Sequence, residues 1–149
     1  MNQAGKIVLS GVGGTTMMSA YSYWMSLRKG KDFREPSLLA SLVGKRKRSY
    51  DKAAGWIIHY AVGVFFTAIY SRLWKKVSPL KSSPLIGLIT GIIAVGGWEA
   101  SLRLHPFHPF IDKKAFYMQL VIAHVVFCVS TALIYQAQGK PGASSEKES

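Results

Sequence analysis

Apolar residues in this chain gather into four blocks, at 7–27, 53–74, 85–104 and 115–135, with polar residues in the segments between them. Each block is roughly 20 residues long; as an α-helix rising about 1.5 Å per residue it crosses a hydrocarbon core of about 30 Å. A soluble four-helix bundle requires a charged face on each helix. The blocks lack one, and the fourth contains no Asp, Glu, Lys or Arg. The pattern therefore predicts an all-α fold, a transmembrane four-helix bundle. Between the first two spans, Pro36 is placed to open a short helix on which Leu38, Leu39, Leu42 and Val43 share a face. It is too short to cross and is expected to be amphipathic and to lie flat at the interface. Residues 1–138 then form a single transmembrane domain, and 139–149, small and polar, a disordered tail.

Small residues recur within the blocks. Ser10 to Thr16 reads SGVGGTT, which resembles a phosphate loop in composition but has neither the Lys of a Walker motif nor a preceding strand. Close helix approach explains it better. Gly55 and Gly63 share a stripe with His59 and Thr67 at spacings of four, and Gly87-x-x-x-Gly91 forms a small-xxx-small pair. These four glycines are the expected packing positions. Thr15, Ser19, Ser22 and Ser26 make a polar stripe along the first helix. That block, preceded by Lys6, is long for a signal-peptide core and has no convincing cleavage site after it, so it is read as a retained helix.

Charge adds topology. The net charge is +12, and nine of the nineteen Lys and Arg fall in 28–52. Placing 28–52 and 103–114 in the cytoplasm satisfies the positive-inside rule and puts both termini on the outer side, at the expense of Arg72, Lys75, Lys76 and Lys81 lying outside. The run Lys45, Arg46, Lys47, Arg48 has no aromatic platform or recognition helix beside it, which argues against nucleic acid. It suits contact with anionic lipid headgroups. The single cysteine, Cys128, excludes a disulfide framework.

Ionisable residues inside spans are expensive to keep and mark candidate sites. His59, Glu99 and His124 qualify. Counted from the cytoplasmic helix ends they lie at comparable depths, roughly 8–14 Å in, and Ser19 and Ser22 reach the same level. A carboxylate with two imidazoles is a plausible metal set for zinc or iron; the same groups suit a proton relay. Structural roles compete: Glu99 has Arg103 four residues on, and the histidines can hydrogen-bond each other or a backbone carbonyl. No His-x-x-x-His, Glu-x-x-His or Cys-x-x-Cys raises the metal reading. His105 and His108, in the proline-stiffened HPFHPF turn, are placed to extend the site from below. Trp56, Trp98, Tyr60 and Tyr117 have the amphipathic character of headgroup-level residues.

At residues 55–66 (GWIIHYAVGVFF), 97–109 (GWEASLRLHPFHP) and 120–127 (LVIAHVVF), and at 33–39 (FREPSLL), the chain resembles a group of uncharacterised bacterial four-span membrane proteins. The resemblance implies a helical membrane fold in the bacterial inner membrane, multi-pass. It implies no activity or cofactor.

The expected function is binding or passing a small solute, proton or lipid through the His59, Glu99 and His124 layer. The alternatives are a small membrane enzyme acting on a lipid or quinone, with Glu99 as acid/base, or a structural subunit whose glycine faces hold another membrane protein. Four helices enclose little volume, so a transport role calls for a homo-oligomer or a partner.

Overall fold

Among residues 2–43, 49–104 and 112–138, which the computed structural model describes, the chain forms α1 (Gln3–Lys29), α2 (Glu35–Val43), α3 (Ser49–Leu73), α4 (Pro79–Leu104) and α5 (Lys113–Ala137). Each long helix outruns its apolar block at one or both ends, because backbone hydrogen bonding continues through polar residues where a hydropathy pattern stops. The largest shift is in α4, which begins at Pro79 and carries Pro84 inside it, whereas the sequence pattern starts it near 85. The ends are set locally. Asn2 caps α1 by accepting the Gly5 N–H, and Gly30 ends it in the left-handed conformation at φ 62°. Asp112 caps α5 by accepting from Ala115.

Among the described residues, three helices are long and apolar enough to cross a membrane: Asp51–Leu73 of α3, α4 and α5, at 23, 26 and 25 residues. Such a set suggests a multi-pass membrane protein. α1 is equally long at 27 residues, but its Ser, Thr and Gly dilute its apolar content and it is not one of the three. The outer surface agrees with an apolar solvent. Ile57 and Phe65 of α3, Ile92 of α4 and Met118 of α5 are each at least 60% exposed.

The close pairs are α4 with α5, α5 with α1, α1 with α3, and α3 with α2. α1 runs antiparallel to α5: Gln3 bonds Tyr135 at one end and Ser22 receives the Gln119 amide towards the other. α3 and α4, though consecutive, are not a close pair, so a gap opens between them. The contacts that do form use glycine. A Cβ on Gly87 would stand 2.6 Å from the Val125 Cα, and one on Gly91 would stand 2.8 Å from the Val121 Cα. Gly63 faces Thr15 of α1, and Gly55 faces Pro36 and Ala40 of α2. All four expected packing glycines thus join helices within the chain.

The short helix expected between the first two long ones is α2, which folds back onto α3, burying Leu38 and Ala40, and the preceding Phe33 is 2% exposed. Two devices turn the chain there: the Phe33 N–H donates to Ser26 Oγ, and Asp32 accepts from Arg34 and Ser37. Glycine at 55 is what lets α2 come this close. The result is a short helix that closes one end of the gap between α3 and α4.

Candidate functional site

The gap is a cavity of about 370 Å³ lined by all five helices. Its walls are chiefly apolar: Met18, Leu39, Leu42, Val62, Phe66, Ile93, Ala94, Leu120 and Phe127. α1 and α5 form the floor. Val62 and Ile93, from α3 and α4, are exposed at its rim. Tyr70 and Phe66 line it towards the C-terminal end of α3, where an aromatic run of Phe66, Tyr70, Trp74 and Tyr135 packs ring to ring. At the other end stands α2.

Among the polar residues lining this space, Thr15, Thr90 and Ser101 return their hydroxyls to carbonyls of their own helices, and beside Tyr70 stand three ionisable groups, His59, His124 and Glu35. His59 is 7% exposed, and its Nε2 shares a 3.1 Å hydrogen bond with Ser19 Oγ of α1. His124 donates from Nδ1 to the Leu120 carbonyl at 2.8 Å, one turn back on its own helix; a neutral ring then carries its acceptor lone pair on Nε2. The third is Glu35, the first residue of α2, which is 2% exposed and lines the cavity.

Glu35, on α2, is held by two other helices. Its Oε1 accepts Ser22 Oγ of α1 at 2.7 Å and Gln119 Nε2 of α5 at 3.3 Å. The same Gln119 amide donates to Ser22 Oγ at 2.6 Å. Both side-chain donors therefore converge on one oxygen. Glu35 Oε2 and Gln119 Oε1 are buried without a hydrogen-bond partner among the described residues. Such groups are uncommon in native interiors, and each carries a desolvation penalty of about 1–3 kcal/mol until something satisfies it. Burial pushes the Glu35 carboxyl up to about 7, against the opposing pull of the Ser22 and Gln119 hydrogen bonds, and the nearby Asp32 charge adds to the rise.

Of the layer expected from the sequence, His59 and His124 meet in one cavity, with Ser19 bonded to the first. Ser22 serves Glu35. Glu99 is placed elsewhere: it is not part of the cavity lining but binds Arg103 at 2.7 Å, Lys113 at 3.1 Å and the Tyr117 hydroxyl. The reason is electrostatic. A carboxylate one turn before an arginine and beside the start of α5 finds two cations at the helix ends and has no need of the interior. Among the described residues no three His, Cys, Asp or Glu come together as a group able to hold a metal ion. The metal set of His59, Glu99 and His124 is therefore not assembled. Lys45, Arg46, Lys47, Arg48, His105, His108 and the tail 139–149 lie outside the described residues.

Glu35 is the residue that sequence reasoning missed. It sits beside Arg34 in a charged loop, where a surface role is the ordinary expectation, and no spacing rule joins it to Gln119, 84 residues away. The available signal was the serine stripe of α1: Ser22 on a long apolar helix needs a partner from another element. Compared with protein-family models, curated proteins and solved structures, the chain matches none of them.

Proposed function

We propose that this chain is a four-span protein of a bacterial inner membrane, as its resemblance implies, and that it takes a small lipophilic molecule from the bilayer into the cavity between α3 and α4. The observation that carries this is the cavity itself: apolar walls, a few convergent polar groups, and a rim formed by two helices that are not a close pair. Its volume falls at the lower end of the range of roughly 300–1,000 Å³ typical of small-molecule sites. A single-chain amphiphile suits that space; a two-chain phospholipid is too large to enter whole.

The fourth crossing, by α1, is supported by how its polar groups are satisfied. Thr15 and Thr16 return their hydroxyls to carbonyls one turn back, and Ser10, Ser19 and Ser22 meet Gln138 at the C-cap of α5, His59 of α3 and Glu35 of α2. α1 sits between α3 and α5, so its small polar face is covered by protein and can lie in hydrocarbon. The basic loops then place the α2 end of the cavity on the cytoplasmic side. The glycine faces are consumed inside the chain, which weakens the reading of a subunit that holds a partner through them.

The test is photolabelling in phosphatidylcholine nanodiscs with decanol carrying a diazirine on its chain. Labels are expected on cavity residues such as Ile93, Ala94 and Phe66. Gly97 lines the cavity, and a Cβ there meets nothing within 4 Å, so Gly97→Trp adds an indole to the cavity mouth without a backbone clash. This variant is expected to lose the cavity labels and keep those on the outer faces. Equal labelling of the cavity in both proteins would overturn the proposal, as would labels on the outer faces alone.

A further inference from the structure

Resting on the cavity reading above, we infer that the Glu35, Gln119 and Ser22 cluster receives the primary ammonium head of an amphiphile whose alkyl chain lies along the cavity. The side-chain donors nearest Glu35 are already committed to Oε1, which leaves two buried acceptor oxygens without a partner among the described residues: Oε2 of Glu35, which lines the end of an apolar space, and Oε1 of Gln119, whose amide is bonded to Glu35. The complement of two acceptors is a head with more than one donor. The complement of a carboxylate that makes no ion pair among the described residues is a cation. Among the described residues, two cations of the loop before α2 are paired with other carboxylates: Arg34 with Asp32, and Lys31 with Asp112.

A primary ammonium satisfies each of these requirements. It carries three N–H donors on a compact head, where an alcohol carries one and no charge. A quaternary ammonium has the charge without a donor, and a fatty acid would set a second carboxylate against Glu35. The apolar walls contributed by Leu39, Leu42 and Leu120 are suited to the chain. An alkylamine and the ethanolamine head of a phospholipid share this chemistry.

The experiment uses the full chain in phosphatidylcholine nanodiscs at about pH 8, where alkylamines remain protonated. The diazirine decanol reports cavity occupancy, and unlabelled decylamine, decanol, decyltrimethylammonium and decanoate compete for it. Decylamine is expected to compete at least about tenfold better than the others in the wild-type protein, the ratio given by one charge-assisted hydrogen bond. In Glu35→Gln, which keeps the shape and removes the charge, decylamine and decanol are expected to compete alike while the decanol probe still labels the cavity. That retained label shows that the variant is folded. Ethanolamine phospholipid in the disc separates the sources: if it competes too, the head belongs to a lipid, and if decylamine alone competes, to a free amine. Equal competition by decylamine and decanol in the wild-type protein would refute the ammonium assignment and leave the cavity reading intact, as would an amine preference that survives Glu35→Gln. A decanol probe that never labels the cavity would remove both.

Discussion

Glu35→Gln is expected to raise the melting temperature of the detergent-solubilised protein at pH 8 and to flatten its dependence on pH. The wild-type carboxyl has its folded value raised from the ordinary 4.5 to about 7. Between those values the folded protein holds a proton that the unfolded chain has released, so stability falls as pH rises through that window and stays lower above it. The loss is on the order of 3 kcal/mol. Glutamine keeps the acceptor for Ser22 and cannot ionise, so it removes the loss. The groups facing Glu35 are the Ser22 hydroxyl and, further off, Tyr21 from α1, Asp32 from the loop before α2, and Gln119 from α5. Asp32 is itself held below its usual value by Arg34 and Ser37 against the opposing effect of burial, so it is already ionised across the window. The decisive data are melting curves of both proteins from pH 5 to pH 8. Parallel slopes would mean that Glu35 does not titrate in that range.

The second large effect is expected at the α4–α5 contact. Gly87→Leu places a Cβ at about the Val125 backbone, 2.6 Å from its Cα and 2.9 Å from the His124 carbonyl. Backbone atoms cannot rotate aside, so the helices must separate, and overpacking of this kind costs about 3 kcal/mol or more. Loss of a monodisperse species on size exclusion is the expected reading, together with a melting temperature far below wild type. Gly96→Leu is the control. It lies on the same helix, its Cβ meets nothing within 4 Å, and the gain in helix propensity over glycine predicts a neutral or slightly stabilising change. If the two variants melt alike, the interhelical approach at Gly87 is not what holds this pair together.

These two predictions draw on different kinds of information, and the difference shows what the chain states openly. Gly55, Gly63, Gly87 and Gly91 were identifiable as packing positions because spacings of three and four place residues on one helix face whatever the neighbour is. His59 was identifiable by the same rule, through the stripe it shares with glycines. Glu99 showed its ion pair with Arg103 in the spacing alone; what the spacing did not show was that Lys113 and Tyr117 would complete its environment and keep it out of the cavity.

Hydropathy and periodicity by themselves determined that the chain is all-α, that its long apolar helices are suited to a membrane, and which faces carry small residues, since these are properties of single helices and their solvent. Tertiary structure decided the rest. The order in which helices pack leaves α3 and α4 apart and makes a cavity, and the approach of α2 to Gly55 closes one end of it. That same approach takes Glu35 from a charged loop to the interior. Burial of a carboxyl there depends on Ser22 and Gln119 arriving from two other helices, a coincidence in space that no local pattern encodes.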